Sequence, residues 1–256
     1  MSDAPLIREK IAQAVGILDE SEIDCWITFV RESGMMRDPM MDFLCPADMT
    51  WHSAFIVTRS GRTHAIVGQM EKRTVDELGV WGRVTGYVEG IRGELQGYLQ
   101  ALNPASIAVN WSRTSEVCDG LTHGMYLLLE GMLAEIGFAD RLVSAEKVTS
   151  SLKARKTPTE IGRMKEAIGH TLDIFGMARG YIQPGRTEKE IAAFMAAEAR
   201  ARGLGFGWDP GHCPAVFTGP DTAGAHYQPT DRKVERGHVL NMDFGLKVQD
   251  YTSDLQ

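Results

Sequence analysis

Asn241-Met242-Asp243-Phe244-Gly245, followed after a short connection by Tyr251-Thr252-Ser253-Asp254, carries the strongest structural signal in the sequence. Two short runs, each with an Asp near its end, read as a β-hairpin. In an antiparallel pair, residues opposite one another project to the same face. Pairing Asp243 with Asp254 puts Val248 and Gln249 at the turn and brings both carboxylates together. Like charges in that position repel unless something neutralises them. A divalent cation is the natural neutraliser, because carboxylates are hard oxygen ligands. The plainer reading is a structural one: Asp is common at hairpin ends because its side chain bonds nearby backbone N–H groups.

The residues upstream tip the balance. Phe217-Thr218-Gly219-Pro220-Asp221-Thr222-Ala223-Gly224-Ala225-His226-Tyr227 leads into Arg236-Gly237-His238-Val239-Leu240 and then into the hairpin. His226 lies seventeen residues before Asp243, and Asp254 lies eleven after it. Asp243-Phe244-Gly245 also matches the metal loop of protein kinases. No Gly-x-Gly-x-x-Gly loop and no His-Arg-Asp segment precedes it, which excludes that assignment. On the His, Asp-x-Gly and Tyr-x-x-Asp spacings, the chain resembles the Xaa-Pro peptidases: aminopeptidase P, prolidase and relatives with the creatinase or pita-bread fold.

The resemblance implies a role for each matching residue. Asp243 would chelate one divalent ion (Mn, Co or Zn), and Asp254 would bridge two. His226 would donate a hydrogen bond to the scissile carbonyl. The implied reaction is hydrolysis of a peptide bond preceding proline by metal-activated water. The family completes its site with a further His and two Glu, none of which follows in this sequence. The resemblance thus leads to the expectation of an incomplete catalytic domain, with weak metal affinity and little activity alone. Its apolar faces (Ile161, Met164, Ile191, Phe194) should be covered in a homo-oligomer or by a partner. Asp250 departs from the pattern, since relatives carry Gly before the Tyr, and this bears on the turn type. Two rival readings are a non-catalytic peptide-binding module on the same fold and a metal-free, creatinase-like amidine hydrolase. The acidic pair weighs against the latter.

The bulk properties fit that reading. The chain has 256 residues, 43% hydrophobic and 24% charged, with a formal net charge of −7. This is the composition of a globular protein rather than a nucleic-acid binder. The one compact basic run, Lys153, Arg155 and Lys156, reads as a solvated segment. No secretory signal and no membrane span are legible, so a cytoplasmic location is expected. Cys25, Cys45, Cys118 and Cys213 are widely spaced and read as reduced, structural thiols.

Periodicity supplies the architecture. Ile7, Ile11, Ala14, Val15 and Leu18 recur at helical spacing. Cys25–Val30 reads as a strand, and 54–57 with 64–67 as a hairpin through Ser60-Gly61. Helices are expected over 91–102 and 126–136, and strands over 107–110 and 142–144. This alternation predicts an α/β domain over 1–145, where the resemblance places a creatinase-type N-terminal domain. Residues 146–156 read as a polar boundary. The first half of a pita-bread domain should fill 146–256. Thr157-Pro158-Thr159-Glu160 starts a helix whose apolar stripe is Ile161, Met164, Ile168, Leu172 and Phe175. Thr187-Glu188-Lys189-Glu190 starts a second helix, which ends before Gly203. The Gly203-Gly205-Gly207 loop lacks the dinucleotide fingerprint and reads as a close backbone passage. His212, His238, Trp51 and His52 read as loop or core residues.

Overall fold

The computed structural model describes residues 3–219 and 227–256. The chain separates into two compact units, Met1–Thr157 and Pro158–Gln256.

The first unit is built on a mixed six-stranded sheet in the order β4-β3-β2-β1-β5-β6. Its strands are β1 (Cys25–Val30), β2 (Ser53–Thr58), β3 (Thr63–Gly68), β4 (Arg83–Tyr87), β5 (Ile107–Val109) and β6 (Leu142–Ser144). The first three pair antiparallel, and the β3–β4, β1–β5 and β5–β6 pairs are parallel. Both faces are covered, so the central strands are apolar throughout rather than alternating. Trp26, Phe55, Val57, Ala65 and Val67 face one core. Helices α1 (Ala4–Glu20), α2 (Met41–Leu44), α3 (Lys72–Glu77) and α6 (Glu146–Ala154) pack on that side. Ile27, Phe29, Ile56, Ile66 and Val109 face the other core, against α4 (Arg92–Leu102) and α5 (His123–Ala134).

Two features depart from the sequence-based expectation. Strand β4 carries Arg83-Val84-Thr85-Gly86, with no apolar alternation, because it is an edge strand packed on one side. Residues 146–154, read as a polar boundary, form α6. The division between units therefore falls at 157/158 rather than 145/146. Val148, Thr149 and Leu152 of α6 are buried, and its charges face outward. Lys10 of α1 ties this helix down. It is fully buried, and its Nζ donates to the carbonyls of Leu152 (2.6 Å) and Arg155 (3.2 Å) and to Gln13 Oε1 (2.7 Å). A cation is favoured at a helix C-terminus, where carbonyls lack intrahelical partners.

In the second unit, α7 (Pro158–Tyr181) and α8 (Glu188–Ala201) carry a three-stranded sheet of β11 (Tyr251–Thr252), β10 (Leu246–Val248) and β7 (Gly205–Phe206). A separate ribbon joins β8 (Ala215–Thr218) to β9 (Leu240–Asp243). The capping box at α8 forms as read, with Thr187 and Glu190 bonding reciprocally. The stripe on α7 is rotated from the expected one. Glu160, Ala167, Thr171, Ile174 and Ala178 are buried, whereas Ile161 and Leu172 are exposed. Small residues on the inner face let the sheet approach the helix closely. Ile191, expected at an uncovered face, is buried with Met195.

Lys10→Met keeps the bulk of the side chain but leaves the α6 carbonyls without their donor. Chemical denaturation should show the first unit destabilised by about 2 kcal/mol, the scale for losing hydrogen bonds to a charged group. An unchanged midpoint would contradict the assigned role.

Candidate metal centre

The turn between β10 and β11 is Gln249-Asp250, one residue later than expected. Both residues have positive φ, 45° and 67°. A two-residue turn with left-handed geometry at both positions matches the right-handed twist of the strands, and Asp tolerates that region. This is how Asp250 can stand at a turn position that favours Gly. The observed pairs are Val248 with Tyr251, Lys247 with Thr252, and Phe244 with Leu255.

The expected direct pairing of Asp243 with Asp254 is therefore corrected. Asp243 ends β9, which pairs with β8 through Ala215. Continuing the Phe244–Leu255 register sets Asp243 beside Gln256, with Asp254 as its diagonal neighbour. The shift is two residues, so both carboxylates stay on one face, whereas a shift of one would have separated them. Asp243 accepts a hydrogen bond from Gln256 and lies within hydrogen-bonding reach of Asp254. Burial pushes the Asp243 carboxyl above the usual range, Gln256 opposes the rise, and the like charge of Asp254 adds to it.

The surrounding motif residues each have a mechanical reason. Phe244 is fully buried against Phe175 and Phe206 and anchors the strand in the core. At Gly245 an added Cβ would collide with the Ser253 carbonyl oxygen and stand 2.8 Å from the Trp208 ring. Gly207 joins this crowding, since its N–H donates to the Gly245 carbonyl at 2.8 Å. The loop read as a close backbone passage is one. Tyr251 donates its hydroxyl to the buried Glu160 (2.9 Å), and the Ser253 hydroxyl bonds Thr171 (2.7 Å), so α7 fixes the hairpin three residues and one residue before Asp254. Glu160, Thr171 and Gln256 were not singled out in the sequence as parts of this site. Glu160 was legible as a helix-start residue, but nothing local marks its burial.

The donor set suits a hard divalent cation. Asp243 Oδ1 is buried and has no hydrogen-bond partner among the described residues, a costly state that a cation would relieve. The Cys213 Sγ nearby donates to the Gly245 carbonyl, and burial raises its pKa, so it remains a thiol. No group of three or more His, Cys, Asp or Glu able to hold a metal occurs among the described residues. His226 lies outside them. His212 bonds Gln228, and His238 bonds Thr218 at the end of β8. His52 stacks on Phe29 in the first unit.

Comparison with known proteins places this arrangement. Residues 162–256 match the model of metallopeptidase family M24. The chain is 25% identical to the inferred Xaa-Pro aminopeptidase of Mycoplasma genitalium, over 62% of this chain and 46% of that protein. It is 28% identical to its counterpart in Mycoplasma pneumoniae, over 53% and 37%. Among solved structures it superposes on the Xaa-Pro dipeptidase from Bacillus anthracis, with TM-score 0.62 and 21% identity over 97% of this chain and 63% of that one. It also superposes on the prolidase from Pyrococcus horikoshii OT3, with TM-score 0.56 and 19% identity over 96% and 63%. The fold class is α/β, a creatinase-type unit followed by a unit of the pita-bread metallopeptidase type. The match to metallopeptidase family M24 falls within the second unit. It spans less than half the length of the two curated relatives.

Gly245→Ala tests the packing that holds the two Asp residues together. Forcing a methyl against the Ser253 backbone should cost about 3 kcal/mol, the upper range for overpacking. It should also weaken Mn²⁺ binding by calorimetry. A variant with unchanged stability and metal affinity would show that the close approach is not required.

Proposed function

We propose that this chain provides the first metal-ligand pair of an Xaa-Pro metallopeptidase, a hydrolase that cleaves the peptide bond preceding proline. The observation that carries the reading is the pair Asp243 and Asp254 on one face of an M24 hairpin, one oxygen of Asp243 being buried and unpartnered. The names of the relatives, Xaa-Pro aminopeptidase and dipeptidase, support the substrate class.

In this reading Asp243 and Asp254 hold divalent metal (Mn, Co or Zn), and Gln256 orients Asp243. When bound, such ions supply a water acidic enough to furnish hydroxide near neutral pH. His226, on the connection before β9, donates a hydrogen bond to the scissile carbonyl as charge develops there. The protein acts as a homo-oligomer in the cytoplasm. All four cysteines are free and buried, as suits a reducing compartment. No helix among the described residues is long and apolar enough to cross a membrane. The alternative is a non-catalytic peptide-binding module on the same fold.

Cleavage of Xaa-Pro peptides against Xaa-Ala controls, by the protein carrying this sequence and loaded with Mn²⁺, separates the two. The peptidase reading expects preferential Xaa-Pro cleavage. Asp254→Ala should lose metal, and His226→Ala should keep metal but turn over about 10²–10³-fold more slowly, the scale for one oxyanion-type donor. Metal binding without cleavage would favour the module. Equal metal loss in both variants would refute the assigned roles.

A further inference from the structure

In the first unit, the carboxyl ends of β1 and β5 meet where the chain diverges. The two strands are parallel neighbours. From β1 the chain runs to α2, packed on one core, whereas β5 is followed by α5, packed on the other. Such a divergence opens a crevice beyond the strand ends, the place where open α/β sheets bind their ligands. Here it holds a cleft of about 700 Å³, lined by Met36, Trp111, Leu121 and Tyr126, with Glu116 and Asp119 in its walls. A recess of about 240 Å³ beside Phe29 and Met125 shares Met36, Gly120 and Thr122 with it. The volume and the apolar lining are those of a small-molecule site.

A buried polar network holds the walls in place. Asn110, the residue after β5, donates to both oxygens of Asp38 (3.0 and 2.9 Å) and to Thr28 Oγ1 (3.0 Å), and accepts from Trp26 Nε1 (2.6 Å). A Cβ added to Gly120 would stand 2.1 Å from Asp38 Oδ2, so the 119–122 segment rests directly on that carboxylate. The Leu121 N–H donates to the Asn110 carbonyl at 2.8 Å. The segments bordering the cleft are thus tied to one another before any ligand arrives, which lowers the ordering cost of binding.

Charge selects the ligand. The Arg37 guanidinium, part of the lining, is committed to Asp42 (2.8 Å), to Asp48 (3.1 Å) and to the carbonyls of Cys45 and Pro46. Glu116 and Asp119 are exposed, and neither has an ion-pair partner among the described residues. Asp119 accepts only from the Ser112 N–H, at 3.2 Å, among those residues. Thr122 supplies the cap of α5, accepting from the Met125 N–H. Tyr126 donates its hydroxyl to Glu130 (3.3 Å), which sets another carboxylate beside its ring. Uncompensated carboxylates next to the faces of a Trp and a Tyr suit a cation. We infer that this cleft binds an organic cation, a protonated primary amine on an aromatic or branched apolar body. The ammonium lies at Glu116 and Asp119, and the body packs against Trp111, Tyr126 and Met36. This site is independent of the peptidase reading.

The test is calorimetric titration of phenethylamine, 2-phenylethanol and 3-phenylpropanoate into the protein carrying this sequence, at neutral pH. The three share one apolar body and differ in the charge of the end group. The amine should bind at least about tenfold more tightly than the alcohol, a difference of about 1.4 kcal/mol, and the anion most weakly. Glu116→Gln combined with Asp119→Asn, which keeps an acceptor for the Ser112 amide, should bring the amine within about twofold of the alcohol. The alcohol's own affinity should hold in that variant. Trp111→Leu should weaken amine and alcohol alike. Near-UV circular dichroism checks that each variant keeps its native packing. Anion or alcohol binding as tight as the amine would overturn the inference. So would amine affinity unchanged by the double substitution or by Trp111→Leu, or no amine binding at millimolar concentration. If the double variant fails to fold, Glu116→Gln alone, at an exposed position, must reduce the preference for the amine for the inference to stand.

Discussion

At Gly245 the backbone of one strand passes so close to the Ser253 carbonyl that no side chain fits between them, and the second unit is arranged around that approach. Phe244 is driven into the core on one side of it. Asp243 therefore emerges on the other side, by the alternation of a strand. Ser253 is pinned by Thr171 and by Leu246, whose N–H donates to its hydroxyl, so Asp254 follows from a fixed point. The small residues along the buried face of α7 admit the sheet at this distance. The two carboxylates meet because the backbones beneath them are nearly in contact.

A contrast among buried charges gives that meeting its chemical meaning. Lys10 is buried and saturated by carbonyls, and Glu188 is buried and saturated by four donors. Asp38, raised by burial to about 6, is held by Asn110 and by the Met40 N–H. Each follows the rule that a buried charge must be paired or fully hydrogen-bonded. Asp243 is half-buried, and one of its oxygens is buried with no hydrogen-bond partner among the described residues while a second carboxylate stands beside it. Folding has assembled a repulsion here that a cation would relieve, and the neighbouring sulfur is kept as a thiol. The similarity of residues 162–256 to metallopeptidase family M24 accords with that reading.

Much of this was legible in the residues. The strands Cys25–Val30 and Ser53–Thr58 announce themselves by unbroken apolar content, and the α8 capping box by Thr187 and Glu190. The acidic hairpin was legible as a hairpin, but its register was not. Aligning the two Asp directly placed the turn at Val248-Gln249, whereas Gln249-Asp250 can adopt the left-handed pair that a tight turn needs. Residues 146–154 looked like a linker because burial of α6 depends on Lys10, far away in sequence. The α7 stripe was misjudged because close packing selected Ala167, Thr171 and Ala178 over larger apolar neighbours. The register was decided by local turn chemistry, whereas for α6 and α7 a long-range contact overrode a local pattern.

The most direct measurement is Mn²⁺ titration of this chain, carrying ¹³C-labelled Asp carboxyls, followed by NMR. Substoichiometric Mn²⁺ should broaden the Asp243 and Asp254 signals together, before those of surface carboxylates such as Asp42 and Asp48. Broadening spread over the surface residues, with Asp243 left sharp, would contradict the claim that this hairpin is built to hold a cation.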